Sequence, residues 1–347
     1  MQKVRSLILA LSCAFFWMAS PAVAEMTANE KTLYEAAKSN GEEVTWYVAH
    51  FSAETAEALG TKFQELYPGV NVNVIRTTAQ VAFQRLMQDV QAGVQQCDVI
   101  SSTDVGHYGF LKENGLLMQH TPDNAPKLIE AFRDFDPDGY FHITSAGAVI
   151  INYNKEKTAG MELPKKWTDL LDPKWKDQVT VGHPGFSGYV GTWVVTMRKL
   201  YGWDYFEKLE ENKPQIGRSI NDTVTMLNAG ERSVGAGPTA TTLRSASRGN
   251  PVGVIYPEDG TLVMLAPSGI MANTKNPNAS KLFMEYIMST DASEVMVEYF
   301  SEPVRPEVAP PPGAKSLGEV KTVRPTFQEI QDGIPEVKEQ WRDTFGV

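Results

Sequence analysis

The sequence alternates strand-like and helix-like segments, and two long extended runs interrupt the alternation. The amino-terminal part reads strand, helix, strand, helix, strand, with strands predicted at 43–49, 70–75 and 97–100. Strands that alternate with helices predict a parallel sheet that binds ligands beyond the carboxyl ends of its strands. The extended runs, at 141–153 and 252–270, lack this helical interruption. The chain is therefore expected to be an α/β protein with two crossing connections.

The two extended runs predict two doubly wound α/β lobes joined by a two-strand hinge. The strand–helix pattern restarts between them, with short strands at 178–181 and 234–237. Such a hinge allows two lobes to close around a ligand in the cleft between them. The expected divisions are lobe 1 at 25–143 with 265–300 returning to it, lobe 2 at 144–264, and a carboxy-terminal loop and helix at 301–347 that packs on the lobes.

The first 24 residues have the pattern of a secretory signal peptide. Lys3 and Arg5 precede an apolar stretch too short to span a membrane, and a small-x-small cleavage site ends at Ala24. We expect export to the periplasm and cleavage after Ala24, which would leave 323 of the 347 residues. That length exceeds what one hydrophobic core usually supports, in agreement with two lobes.

Charge and cysteine content disfavour several classes of protein. The formal net charge is −10, and it becomes −12 without Lys3 and Arg5. A negative chain is a poor partner for nucleic acid or an anionic membrane surface. Cys97 is the only cysteine after the predicted cleavage site, so no disulfide framework can form.

Four loops that follow predicted strands would face the cleft. They are at 50–53, 76–78, 101–104 and 183–193, the last reading HPGFSGYVGTW. In this last loop Ser187 and Gly188 begin a helix, whose amino terminus offers unpaired N–H groups and a partial positive charge. Hydroxyl side chains before helices also act as caps, so capping and ligand binding both stay open for Ser52 and for the hydroxyls of 101–104.

No sequence pattern indicates catalysis or a metal site. There is no nucleophile elbow, zinc-binding helix motif, paired-cysteine motif or paired-carboxylate spacing, and the five histidines are dispersed. We therefore predict a protein that is not an enzyme and that carries no cofactor and no metal.

Several stretches resemble family 1 extracellular solute-binding proteins of ABC importers, nearest to the ferric-iron-binding branch. They read VTWYVAHFSAETAEALGTKFQELYPGVNVNV, QCDVISSTD, INDTVTMLNAGE and ANTKNPNASKLFMEYIMSTDASEVMVE. The resemblance covers essentially the whole chain after residue 24. It implies the type II periplasmic-binding fold, a small-molecule ligand in the cleft, and delivery to a membrane permease with a cytoplasmic ATPase. We expect a monomer.

Proteins of the ferric branch bind iron through an adjacent tyrosine pair, a His or Tyr after the first strand and often an acid after the third. The tyrosine pair falls on Ala240 and Thr241 in this chain. The position after the first strand falls on Phe51, and the acid position falls on Thr103 with Asp104 next to it. The resemblance therefore implies that the phenolate ligands of a ferric site are missing.

The same branch also clamps an oxyanion with a Ser-Gly pair at a helix amino terminus and an Asn of the second lobe. These match Ser187-Gly188 and Asn221. We therefore predict capture of a small organic anion such as a phosphonate, a phosphate ester or a carboxylate. The predicted ligand-binding residues are Phe51, Ser52, Thr77, Ser102, Thr103, Asp104, Ser187, Gly188, Tyr189, Asn221, Thr239 and Arg244.

Three alternatives stay open at this point. A polyamine or another cation could bind an acidic aromatic box built from Asp104, Asp222, Glu258, Asp259, Trp46, Tyr47 and Trp193. Fe³⁺ could bind through ligands other than those of the family, namely His50, Asp104 and Tyr189. A secreted lyase or hydrolase is the third alternative, although no spacing predicts its catalytic groups.

Overall fold

The computed structural model describes residues 26–317 and 319–347, so the predicted signal peptide and its cleavage site after Ala24 lie outside the described residues. The helices are α1 (Ala28–Asn40), α2 (Ala53–Leu66), α3 (Ala79–Ala92), α4 (Gly106–Glu113), α5 (Gly188–Tyr201), α6 (Asp204–Glu211), α7 (Asp222–Asn228), α8 (Thr239–Ser247), α9 (Pro277–Ile287), α10 (Thr290–Glu298) and α11 (Phe327–Phe345). The strands are β1 (Val44–Val48), β2 (Val72–Arg76), β3 (Val99–Ser101), β4 (His142–Asn154), β5 (Val179–Val181), β6 (Gln215–Ile216), β7 (Val234–Pro238), β8 (Val252–Ile255), β9 (Thr261–Ile270) and β10 (Thr322–Val323).

The strands form one long sheet that changes character along its length. Its order is β2-β1-β3-β9-β4-β7-β5-β6, with β8 beside β4 and β10 beside β9. At one end β1 runs parallel to β2 and β3, and at the other end β5 runs parallel to β6 and β7. Each end therefore has the parallel sheet that alternating strands and helices predict.

Strands β4 and β9, called here the hinge pair, connect the two ends of the sheet. They run antiparallel to each other over most of their length, with a register shift between Ile143 and Ser145. β4 also pairs with β7 of the second lobe, and β9 pairs with β3 of the first. The predicted two-strand hinge is confirmed, and lobe boundaries within these continuous strands stay a prediction.

The described residues form three hydrophobic clusters, two of them in the first lobe and one in the second. The first lobe packs around residues that include Trp46, Phe63 and Phe283. The second packs around residues that include Trp193 and Trp341, the latter from α11. Each lobe has its own core, as the length of the chain indicates.

The second extended run, predicted over 252–270, is interrupted in the structure. A turn separates β8 from β9, and Gly260 within it has a φ of +141°, which a residue with a side chain rarely adopts. The Asp259 carboxylate fixes the turn by accepting from the backbone N–H of Trp167 at 3.0 Å. Of the run 252–270, only β9 therefore crosses between the lobes. Strand β8 pairs with the second-lobe end of β4.

Helix α11 contacts both lobes. It packs against α4 of the first lobe and against α5 and α6 of the second. Its amino terminus has a capping box, in which Thr326 and Glu329 each bond the other's backbone N–H. Across residues 26–317 and 319–347, no helix combines the length and the hydrophobicity that crossing a bilayer requires.

Candidate functional site

A cavity lies between the lobes where the carboxyl ends of β1, β2 and β3 face the amino termini of α5, α7 and α8. It holds about 560 Å³ of empty space, part of which is open to solvent. The lining residues are Ala49, His50, Ser52, Thr55, Arg76, Thr78, Ala79, Thr103, Ser187, Tyr189, Ser219, Ile220, Asn221, Pro238, Ala240, Thr241, Arg244, Tyr299 and Ser301. Within the described part of the chain, this lining contains two arginines and no Asp or Glu.

Arg76, the last residue of β2, brings a positive charge to this cavity. Its Nε donates to the Phe51 carbonyl oxygen at 3.0 Å. No carboxylate of residues 26–317 or 319–347 lies within ion-pair distance of Arg76, although Asp222 and Glu54 act on it from farther away. Burial lowers the pKa of Arg76, because a partly desolvated guanidinium loses hydration. A cation in such a setting favours a negatively charged ligand.

Arg244 of α8 reaches across the cleft to the first lobe. Its Nη1 donates to the Ser52 hydroxyl at 2.7 Å, and its Nη2 lies 3.1 Å from a carboxylate oxygen of Glu54. Arg244 is a buried residue, and burial lowers its pKa while Glu54 opposes that effect. These contacts join the two lobes, so the structure represents a closed cleft.

Ser187 and Gly188 lie at the start of α5, where the sequence predicts an anion cradle. Ser187 is the N-cap residue, yet its hydroxyl makes no capping bond, and it lines the cavity. Gly188 instead packs against the first lobe. A Cβ at Gly188 would come within 2.6 Å of both the Thr103 carbonyl carbon and the Asp104 nitrogen. Gly188 therefore permits close approach of the lobes and does not itself line the cavity.

Asn221 also lines the cavity, at the start of α7. Its side-chain carbonyl oxygen accepts from the Thr241 hydroxyl at 2.8 Å, and it makes no capping bond to its own helix. With that oxygen engaged, the amide NH₂ group is the part of Asn221 that can donate to a ligand. The Ser52 hydroxyl is already engaged: it caps α2 by accepting from the Thr55 N–H at 3.2 Å, it lies 2.8 Å from the Thr55 hydroxyl, and it accepts from Arg244.

Half of the predicted ligand-binding residues line the cavity, namely Ser52, Thr103, Ser187, Tyr189, Asn221 and Arg244. Phe51 does not, because its ring lies in the first-lobe core, 6.1 Å from Trp46. Thr77 is also off the cavity, where its neighbour Thr78 takes the lining position. Thr239 turns inward and donates its hydroxyl to the Ala148 carbonyl at 3.2 Å.

Ser102 and Asp104 belong to a buried network behind the cavity wall. The Ser102 hydroxyl lies 2.9 Å from Nδ1 of His107 and accepts from the Asp104 N–H at 3.1 Å. The Asp104 carboxylate accepts from the Gln80 side chain at 2.7 Å and from the Gly106 N–H at 3.0 Å. These bonds hold Thr103 in place at the cavity without placing either neighbour there.

Several lining residues lie outside the predicted set of anion-binding residues, although His50 is among the alternative ferric ligands and Arg76 is in a loop predicted to face the cleft. Arg76 had a usable signal, since it ends an alternating strand at the carboxyl edge of the predicted sheet. Tyr299 and Ser301 had none, because they follow α10 and reach the cavity through tertiary packing. His50 lines the cavity too, with both ring nitrogens unbonded within the described structure. Burial lowers its pKa to about 3, so the ring is neutral near pH 7.

The residues of the cationic alternative do not gather at this cavity. The Asp222 carboxylate accepts from the Ser219 N–H at 2.9 Å, and Asp259 fixes the turn after β8. Trp46 and Trp193 are buried in separate cores. The structure therefore separates the members of the predicted acidic aromatic box.

The lining residues also define what the cavity offers a ferric ion. Ala240 and Thr241 lie at the cavity, at the positions where the resemblance places the tyrosine pair. Among the described residues, no group of three or more His, Cys, Asp or Glu side chains is arranged to hold a metal. The adjacent phenolates of a ferric site are thus replaced by a methyl group and a hydroxyl.

Comparison with known proteins places the chain in a family. Residues 95–329 match the model of the family described as bacterial extracellular solute-binding protein. The chain belongs to this family. Its members are substrate-binding proteins of transporters and not enzymes.

Two relatives share about a quarter of their residues with this solute-binding protein. One, of Sinorhizobium fredii, carries a provisional name as an ABC transporter periplasmic-binding protein and is 24% identical over 86% of this chain and 82% of its own. The other, of Salmonella typhimurium, carries a provisional name as a 2-aminoethylphosphonate-binding periplasmic protein. It is 24% identical over 87% of this chain and 86% of its own.

Solved structures with the same fold cover nearly all of this solute-binding protein. The periplasmic binding protein AfuA of Actinobacillus pleuropneumoniae, with fructose-6-phosphate bound, has a TM-score of 0.81 and 22% identity over 88% of this chain and 99% of its own. Iron-bound HitA of Pseudomonas aeruginosa has a TM-score of 0.75 and 18% identity over 87% and 99%. The type II periplasmic-binding fold is thereby confirmed.

Proposed function

We propose that this periplasmic solute-binding component of an ABC importer captures a small organic anion between its lobes. Arg76 is the observation that carries the proposal, since its guanidinium reaches the cavity and no described carboxylate pairs with it. A partly buried charge without a counterion is costly, and a bound anion would supply that counterion. Delivery to a membrane permease with a cytoplasmic ATPase then follows from the class of protein.

The rest of the lining supports an anion that carries hydroxyl groups. Most polar lining side chains are hydroxyls, which donate and accept hydrogen bonds equally well: Ser52, Thr55, Thr78, Thr103, Ser187, Tyr189, Ser219, Thr241, Tyr299 and Ser301. The described lining offers no carboxylate that could hold an ammonium group. A phosphate ester therefore fits better than a polyamine or an aminophosphonate. An oxyanion is the chemistry that fructose-6-phosphate and 2-aminoethylphosphonate, the ligands named for its relatives, have in common.

The donors are sufficient for useful affinity. Hydrogen bonds to a charged group contribute about 1.5 to 3 kcal/mol each. Arg76, the Ser187 hydroxyl, the Asn221 amide and the N–H groups at the start of α5 could together supply the roughly 8 kcal/mol of micromolar binding. Both walls come from one chain, so we propose that the protein acts as a monomer.

A ligand panel tests the proposal. Thermal unfolding of the mature protein would be followed with fructose 6-phosphate, 2-aminoethylphosphonate, inorganic phosphate, succinate, spermidine and ferric citrate. We expect a phosphate ester or another anion to give the largest rise in melting temperature, because it binds only the folded protein. A rise with spermidine alone would overturn the proposal. A visible absorption band with ferric citrate would instead indicate iron binding.

A further inference from the structure

Residues Ser301 and Glu302 separate two cavities. Ser301 lines the cavity between the lobes, whereas Glu302 lines a second one. The second cavity holds about 1210 Å³ of empty space, part of it open to solvent, and Val263 of β9 also lines it. Glu302 forms an isolated antiparallel bridge with Ala146 of β4, and neighbouring side chains of extended backbone point to opposite faces. The Glu302 carboxyl therefore lies just behind the wall of the ligand cavity.

Glu302 is buried without a partner. Its exposed fraction is 7%, and within residues 26–317 and 319–347 no hydrogen bond or ion pair reaches its carboxylate. Two arginines line the same cavity, and neither forms an ion pair with Glu302. Arg305 pairs with Glu307 at 2.8 Å and donates to Asn124, and Arg324 lies outside ion-pair distance of Glu302. Burial raises the pKa of Glu302 to about 7.

Few other groups around Glu302 can change charge near neutral pH. Tyr189 of α5 and Tyr256 after β8 feel its charge, and burial raises the pKa of both further above neutrality. Arg305 and Arg324 are the arginines that line the same cavity. The hinge pair and the 3₁₀ turn Glu130–Phe132 present Ala146, Val263, Ala131 and Phe132, which do not titrate. Among the described residues that line this cavity, Glu302 is thus the acid whose pKa burial raises towards neutrality.

We propose that Glu302 makes capture of the anion dependent on a proton. The inference rests on the proposed function, because it requires an anion beside Ser301. A protonated Glu302 is neutral and does not repel that anion, whereas an ionised Glu302 carries a negative charge that does. Binding between about pH 7 and 8 therefore draws on the order of half a proton per molecule from solvent onto a carboxylate oxygen of Glu302. Two unit charges roughly 10 Å apart at an effective dielectric constant of about 20 change an affinity on the order of tenfold.

Calorimetric titration of fructose 6-phosphate and of inorganic phosphate tests this directly. Each would be titrated into wild-type protein and Glu302→Gln at pH 6 and pH 8, in two buffers of different ionisation enthalpy. We expect wild-type affinity to fall roughly fivefold more than that of Glu302→Gln between the two pH values, because neither pH fully converts both the free and the bound protein. We also expect wild-type protein to take up more protons on binding. Comparing the two proteins removes the titration of the ligand's own phosphate.

Two controls keep the result interpretable. Glu294→Gln removes an exposed carboxylate of α10 and should keep the wild-type pH dependence. Thermal unfolding checks the fold of Glu302→Gln. Because the folded pKa of Glu302 is raised, its stabilising effect is present below about pH 4.5 and is lost as pH rises through about 7. Glu302→Gln should therefore gain in melting temperature over wild type as pH increases from 5 to 8.

The outcomes separate this inference from the proposed function. Anion binding with the same pH dependence and proton uptake in wild type and Glu302→Gln would overturn the role of Glu302 alone. Failure of every anion to bind either protein at any pH would overturn both proposals. Proton uptake that persists in Glu302→Gln at full size would assign the coupling to His50 or to the ligand, and would contradict the inference.

Discussion

The two walls of the cleft offer an anion different chemistry. The first-lobe wall contributes a side-chain charge, Arg76, while Ser52 and Asp104 hold backbone N–H groups of their own loops. In the second-lobe wall, α5 and α8 begin at the cavity without side-chain capping bonds. The first-lobe wall thus supplies a charge and the uncapped start of α3, and the second-lobe wall supplies the uncapped starts of α5 and α8, so strong binding needs both walls together.

The two arginines at the cavity differ in whether they already have a charged partner. Arg244 already has Glu54 and Ser52 as partners across the cleft, whereas Arg76 bonds only a carbonyl oxygen among the described residues. Composition cannot reveal this difference. It makes Arg76 the counterion for a ligand and Arg244 the contact that holds the lobes closed.

Removal of the Arg76 charge should have the largest effect. Arg76→Gln eliminates the charged hydrogen bonds of this side chain, and we expect roughly hundredfold weaker binding of the anion that the panel selects. Calorimetric titration would measure the dissociation constant of the anion for the variant and for wild-type protein. Arg342→Gln is the matched control, because Arg342 is exposed on α11 and paired with Asp343. Equal losses in the two variants would indicate a general charge effect and not a contact at the cavity.

Blocking the approach of the walls should come next. Gly188→Ala would place a methyl group 2.6 Å from first-lobe backbone atoms, which cannot move aside as a side chain can. We expect the affinity for the anion to fall by about tenfold or more, because the donors of α5 no longer reach a ligand held by the first lobe. Small-angle scattering should show that the radius of gyration of Gly188→Ala does not decrease when ligand is added.

Gly191→Ala serves as the control for that variant. It changes the same helix, but its methyl group would meet the flexible Ile334 side chain at 3.0 Å. Normal contraction and near-normal affinity are expected there. If Gly188→Ala closes and binds as wild type does, the close contact with Thr103 does not limit closure.

Loss of one second-lobe hydroxyl should have the smallest effect. Ser187→Ala removes a side chain that lines the cavity and makes no capping bond. We expect a decrease in affinity of roughly five- to tenfold, about 1 kcal/mol, with little change in melting temperature. A melting temperature that falls while the affinity stays constant would make Ser187 a structural residue.

The sequence was sufficient to predict the fold because its signals are local and repeated. The long extended run at 141–153 corresponds to β4, and alternating strands and helices correspond to the parallel ends of the sheet. The second run was predicted too long, since the φ of Gly260 and the bonds of Asp259 depend on contacts that a linear pattern does not contain.

The site was only half predictable because the direction of a side chain depends on its tertiary neighbours. Ser102 and Thr103 are adjacent hydroxyls in the sequence, yet Ser102 turns towards His107 and Thr103 towards the cavity. Ser301 reaches the cavity through a backbone in which Phe300 has a φ of +64°. No periodicity indicates such an excursion.

A crystal structure with the anion that gives the largest thermal shift would show whether that anion binds between the two walls at Arg76. We predict its oxyanion group within hydrogen-bond distance of the Arg76 guanidinium and of the N–H groups at the start of α5. An anion bound away from Arg76, or a cation bound in the cleft, would contradict the proposed anion site.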